Sequence, residues 1–137
     1  MSAENLILNG DFSQGEKHWQ IYKPIHNLKA KAEFRDGYCH VKWGVLVSQT
    51  VELEIGKYRL SFESLFREAS ETYVNLALEM TGYRQELKIQ PGRDYSHTAI
   101  EFEVTKVADG KKDWFSLGMN GHQAGGKFRK IKLVQIS

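Results

Sequence analysis

The chain has little of what marks a crosslinked, metal-bound, membrane-spanning or disordered protein. Its 137 residues include one cysteine, Cys39, so no disulfide can form within it. Two prolines are too few for a Pro-rich linker. The one apolar run near the N-terminus is Leu6-Ile7-Leu8, far short of the roughly 20 residues that cross a bilayer. No basic segment precedes that run, which excludes a conventional signal peptide. The expectation is therefore a cytoplasmic protein, or one exported by a route without such a signal, with no membrane partner. Charge of one sign is also missing. The 19 Lys and Arg residues against 17 Asp and Glu leave a net charge of +2, too little to imply a nucleic-acid partner. His18, His26, His40, His97 and His122 show neither HxH nor HExxH spacing, which excludes the common zinc patterns.

A helical stripe is absent as well, and alternation every second residue takes its place. In Tyr58–Phe66 the residues Leu60, Phe62 and Phe66 read as inward. In Tyr73–Met80 they are Val74, Leu76, Leu78 and Met80, and in Ala99–Val104 they are Ile100, Phe102 and Val104. Phe115, Leu117 and Met119 alternate with Trp114, Ser116, Gly118 and Asn120. Ile131, Leu133 and Val134 supply apolar residues to the last run. Asn9-Gly10, Asp36-Gly37, Ile55-Gly56-Lys57, Thr81-Gly82, Pro91-Gly92 and Asp109-Gly110 punctuate these runs as turns. Roughly ten short strands separated this way predict an all-β, two-sheet antiparallel β-sandwich, one domain over residues 1–137. Residues 13–35 are less regular and predict long loops with one or two short strands, while 64–72 has room for a helical turn. Cys39 reads as a buried, inert thiol, because adjacent His40 points to the other face of its strand.

The ordered motifs resemble those of a known family. Asn5-Leu6-Ile7-Leu8-Asn9-Gly10-Asp11-Phe12, followed by Trp19, is similar to the opening of the jelly-roll carbohydrate-binding modules of the galactose-binding-like sandwich group. Trp43–Leu53 and Gly56–Glu63 are similar to two further strands of those modules. Phe102-Glu103-Val104, Phe115–Gly118 and Ile131–Val134 follow in the expected order, so the resemblance covers nearly the whole chain. It implies a jelly-roll fold and a carbohydrate ligand, a mono- or oligosaccharide. Many members carry a structural calcium near the N-terminal strand, but Ser13 stands here where an acidic residue is usual, and Arg129 and Lys130 lie near the expected Asp. Calcium needs several oxygen ligands, so the site is expected to be lost and no cofactor is expected.

The alternation also places Arg59, Ser61, Glu63, Asn75, Ala77, Glu79, Ser116, Gly118 and Asn120 together on one polar sheet face. Small and planar-polar side chains of this kind suit a sugar groove, where amides and carboxylates bond hydroxyls and a ring stacks on an aromatic plate. Trp114 is the expected plate, with Glu79 and Asn120 as polar contacts and Glu63, Asn75 and Arg59 beside them. Trp19, Trp43 and Tyr83 are further aromatic candidates. His122 and Gln123, in the loop Asn120–Lys127, are the alternative site at one end of the sandwich. Lys127, Arg129, Lys130 and Lys132 form a basic run that edge protection explains. The expected function is a non-catalytic, lectin-like carbohydrate-binding module. The alternative is a protein-interaction, structural or effector domain on the same scaffold. Third is a glycoside hydrolase using Glu63 and Glu79.

Overall fold

Strands with one apolar face must bury it against another sheet, and the chain does so twice over. A computed structural model describes residues 4–22, 31–42, 45–66, 72–89, 92–107, 112–120 and 125–137. Among them are ten strands: β1 (Gln20–Tyr22), β2 (Lys31–Arg35), β3 (Tyr38–Lys42), β4 (Leu46–Glu52), β5 (Gly56–Leu65), β6 (Thr72–Leu78), β7 (Tyr83–Ile89), β8 (Ser96–Val104), β9 (Lys112–Asn120) and β10 (Gly125–Gln135). No described residue is helical. The first sheet has the order β1-β4-β9-β6-β7 and the second β2-β3-β10-β5-β8. Every pairing is antiparallel. This is the two-sheet sandwich that the alternation predicts. Among the described residues of 13–35, strands β1 and β2 are extended. Of 64–72, with its room for a helical turn, Ser64 and Leu65 belong to β5 and Thr72 to β6, while 67–71 lie outside the described residues, as do Pro91 and Asp109-Gly110.

The core lies between the inner faces. From the second sheet come Tyr58, Leu60 and Phe62 of β5 and Phe128, Ile131 and Leu133 of β10; from the first come Val47, Val74, Leu76, Leu78, Phe115 and Leu117, all buried. Phe128 is packed edge-on by both Phe62 and Phe66, each with ring centres 5.8 Å away. Tyr58 buries its ring and still satisfies its hydroxyl, which donates to the Glu54 carbonyl at 2.8 Å and accepts from the Glu54 amide at 2.7 Å. Cys39 is fully buried in this core, and burial pushes its thiol up to about 12.

One inward assignment changes. Met80 is 61% exposed, because β6 ends at Leu78 and Met80 sits in the following turn. Ile100 is partly buried and packs against the core, while Val134, one of the apolar residues of the last run, faces outward beside Arg59. The Val134 result has a local cause. A bulge between Arg129 and Lys132, with Lys130 at φ 54°, inserts one residue into β10. Phe128 on one side of it and Ile131 and Leu133 on the other therefore all point inward despite their odd spacing.

The N-terminal segment ties the two sheets together. Leu6 donates to the Leu133 carbonyl at 2.8 Å, and the Asn5 side chain accepts from the Leu133 amide at 3.0 Å, both on the second sheet. Leu8 instead exchanges two hydrogen bonds with the buried Gln49 side chain of β4, at 2.9 and 3.0 Å. Gly10 then passes so close to β10 that a Cβ there would lie 2.1 Å from the Ile131 carbonyl oxygen. That approach explains the Asn-Gly of the opening motif. The β2–β3 hairpin turns on Asp36-Gly37, both at positive φ, the two-residue turn whose twist matches the strands.

Phe62→Ala should lower unfolding free energy by about 3–5 kcal/mol. Ile55→Ala, at a position 66% exposed, should change it by less than about 0.5 kcal/mol. Urea denaturation of the two variants checks both, and similar losses would contradict the inward phase of β5.

Candidate functional site

The outer face of the first sheet carries a groove that its register builds residue by residue. Cross-strand partners share a face, so Tyr22, Leu46, Gly118, Asn75 and Glu86 form one row across the five strands. Gln20, Ser48, Ser116, Ala77 and Arg84 form the next. Small side chains in the middle leave a hollow of about 400 Å³, with Leu46, Ala77 and Ser116 below and Asn75, Glu79, Arg84, Gln85 and Glu86 along it. Gly118 matters to the floor: a Cβ there would meet Leu46 Cδ2 at 2.1 Å, so the leucine lies across a position that only glycine leaves open. Ser48 and Ser116, both buried, bond each other at 2.8 Å and so need no ligand to satisfy them.

At one end the groove is held by a buried carboxylate. Asp113 is 2% exposed and accepts backbone N–H groups from Met80 (2.6 Å), Thr81 (3.1 Å) and Trp114 (2.8 Å). This clamp sets the turn that follows β6, and with it Glu79, whose amide bonds the Trp114 carbonyl at 3.1 Å. Glu79 in turn accepts from Arg84 at 3.0 Å across the hairpin. At the other end the edge strand β1 presents Tyr22, 52% exposed.

The expected site residues divide between two faces. Asn75, Ala77, Glu79, Ser116 and Gly118 share the first sheet's outer face. Trp114 is on that face too, half-buried beside Glu79 at the end of the groove rather than in its lining. Asn120 follows on β9, paired with Tyr73. His122, Gln123 and Trp43 lie outside the described residues. Arg59, Ser61 and Glu63 belong to β5 and face outward from the second sheet, so the single nine-residue face is two faces. Outward residues of any strand look alike in sequence, and only the pairing says which sheet they join. Both charged members are already engaged: Arg59 with Glu101 at 2.6 Å and Glu63 with Arg129 at 2.6 Å. The hydrogen bond from Arg129 holds the Glu63 carboxyl below the usual carboxylate range.

That division also removes the glycosidase pair. Glu63 and Glu79 point away from each other on two sheets that stack about 10 Å apart, beyond the roughly 5–10 Å such a pair requires. A lowered Glu63 is moreover unsuited to general-acid work at neutral pH. Two aromatic candidates are structural. Trp19 is buried against Phe12 and donates its indole N–H to the Asn9 carbonyl at 2.9 Å. Tyr83 stacks on Phe102, with ring centres 4.8 Å apart.

Arg84, Gln85 and Glu86 follow the Thr81-Gly82 turn that the sequence marks, yet nothing in their order marks them as groove residues. Tyr22, on a strand of three residues, carries no sequence signal at all.

Removing the clamp should loosen the groove's end. Asp113→Ala is expected to cost about 1–3 kcal/mol, the usual penalty for stripping buried partners, and to speed amide exchange at Met80 and Thr81. Unchanged exchange at both amides would show that the turn does not depend on Asp113.

No protein-family model matches the sequence, and comparison with curated proteins gives no significant match. Solved structures do match over almost the whole chain. A CBM4 module is similar with a TM-score of 0.74 and 17% identity, over 95% of this chain and 99% of that one. A CBM61 module, in complex with β-1,4-galactotriose, is similar with a TM-score of 0.67 and 16% identity, over 97% and 99%. A Stig cyclase from Fischerella sp. TAU is similar with a TM-score of 0.69 and 16% identity, over 98% of each chain. Most of the similar structures are carbohydrate-binding modules, and the fold is their jelly-roll sandwich.

Proposed function

We propose that the chain is a non-catalytic carbohydrate-binding module whose ligand lies along the groove of the first sheet. The observation that carries this reading is the groove itself: a floor of Leu46, Ala77 and Ser116 crossing three strands, edged by amide, carboxylate and guanidinium groups. Asn75 offers an amide that both donates and accepts, and Glu79 and Arg84 pair with each other at a strength that sugar hydroxyls can share. Tyr22 and Trp114 stand at opposite ends as the two rings on which a sugar can stack. The jelly-roll neighbours, one of them complexed with a galactotriose, support this ligand class. A shallow, open groove with few polar contacts fits affinities of roughly micromolar to millimolar.

A glycan array followed by isothermal titration with β-linked oligosaccharides, β-1,4-galactotriose among them, tests the reading. Glu79→Ala, Asn75→Ala and Tyr22→Ala should each weaken binding about tenfold or more, a loss of about 1.4 kcal/mol, with the melting curve little changed. Arg59→Ala, on the other sheet, should bind like the unaltered protein. Binding that survives all three groove variants would favour the alternative site expected from the sequence at His122 and Gln123. Silence toward every glycan would favour a protein-interaction role instead.

The same proposal includes no calcium. The N-terminal loop's oxygens are already used: the Asn9 side chain accepts from Gln14 at 3.0 Å and donates to the Gly15 and Lys17 carbonyls at 2.9 and 2.8 Å. Gly10 accepts from Ile131 at 3.0 Å, and Asp11 accepts from Ser13 at 3.1 Å. Lys130 occupies the nearby bulge of β10. These residues do not fit a cation that needs six to eight free oxygen ligands. Chelator should leave the melting temperature unchanged, and a fall of several degrees restored by calcium would refute this part.

A further inference from the structure

Lys31, Lys42 and Lys127 gather on the outer face of the second sheet, away from the groove. Lys31 stands directly opposite Lys42 across β2 and β3, and His40 stands opposite both Glu33 and Lys127. Like charges directly opposite on neighbouring strands oppose folding, so this arrangement calls for a counter-charge. The nearest one is spent. Glu33 is shared between Lys31 at 3.0 Å and Arg35 at 2.7 Å. Among the described residues neither Lys42 nor Lys127 has a carboxylate partner. Lys127 instead rests its ammonium over the Tyr38 ring, 4.5 Å from the centre, which holds the charge in place on the sheet. Farther along β10, the Glu63 carboxylate is taken up by Arg129, which also lies over the Tyr95 ring at 3.6 Å, so it does not neutralise the cluster either.

His40 registers this field. Burial, then Lys42, Lys127 and Lys31, hold its imidazole below the usual histidine value, and Glu33 alone pulls the other way. At neutral pH the ring is therefore uncharged and keeps one N–H to donate.

We propose that Lys31, His40, Lys42 and Lys127 form a binding site for a tetrahedral oxyanion, the sulfate or phosphate group of a ligand. The three lysines come from three adjacent strands spaced about 4.8 Å apart, with Lys31 and Lys42 directly opposite and Lys127 next to His40, so their long side chains can turn onto one group. Lysine supplies point charges without a planar fork, which suits a tetrahedral anion; a planar carboxylate is better matched by arginine. A doubly charged group offsets a cluster that one carboxylate leaves in excess. The site does not depend on the sugar groove, which faces the other way.

The His40 titration, followed by NMR, is the direct test. In sodium sulfate and in sodium phosphate its pKa should rise by about half a unit or more above the value in sodium chloride of equal ionic strength. Lys42→Met should abolish the extra rise, and Lys127→Met does the same if Lys42→Met fails to fold. Equal values in all three salts would mean that the anions only screen the lysines, and the site would be refuted. A persistent rise in both folded variants would refute it too. Competition then identifies the source. A sulfated oligosaccharide active below the concentration of inorganic sulfate points to a sulfated glycan, a sugar phosphate active below that of inorganic phosphate points to a phosphate ester, and equal potency points to the free ion.

Discussion

Both sheets use up their inner faces in making one core, and everything else about this molecule follows from that constraint. Phe62, Phe66 and Phe128 pack around one another, and the residues from β6 and β9 close over the second sheet. The same burial makes Cys39 chemically silent and leaves its neighbour His40 on the outside, one residue away and on the opposite face.

The two outer faces differ because their side chains differ in size as well as charge. On the first sheet, Ala77, Ser116 and Gly118 sit side by side in the middle strands, so the face is hollow. On the second, long side chains cross the strands and close on one another: Arg59 on Glu101, Glu63 on Arg129, Arg129 on Tyr95. The Arg59–Glu101 pair is exposed and adds little to stability, whereas Glu63–Arg129 is partly buried. Their effect is to fill a surface that the first sheet leaves open. Where the pairing runs out, at β2, β3 and the start of β10, positive charge accumulates.

Two polar residues inside the protein hold loops in place. Gln49 and Asp113 are buried, and each is satisfied by backbone groups of a segment that has no strand of its own. Gln49 attaches the N-terminal segment to the first sheet. Asp113 attaches the turn after β6. A buried polar group is tolerable only when its partners are supplied, and here the partners are the loops that border the groove and the sheet edges. Loop positions in this sandwich are thus determined from within.

Period-two alternation, together with turns such as Asp36-Gly37, determined by itself that the chain is a sandwich of about ten strands, and which residues of β5, β6 and β9 point inward. The opening Asn5–Phe12 run and its ordered companions carried the likeness to jelly-roll modules. Local pattern could reach that far because side-chain direction in a strand depends only on parity. It could not say which strands become neighbours. Arg59 and Glu63 carry the same outward signature as Asn75 and Glu79, and only hydrogen-bond pairing sends the first two to one sheet and the others to its partner. Parity itself fails at a bulge, as Val134 shows after Lys130. Arg84 and Glu86 enter the groove, and Tyr22 reaches its end, through register across strands distant in sequence, and register likewise puts Lys42 and Lys127 on one face. The fold was local information repeated; the sites are non-local coincidences, which tertiary structure alone decided.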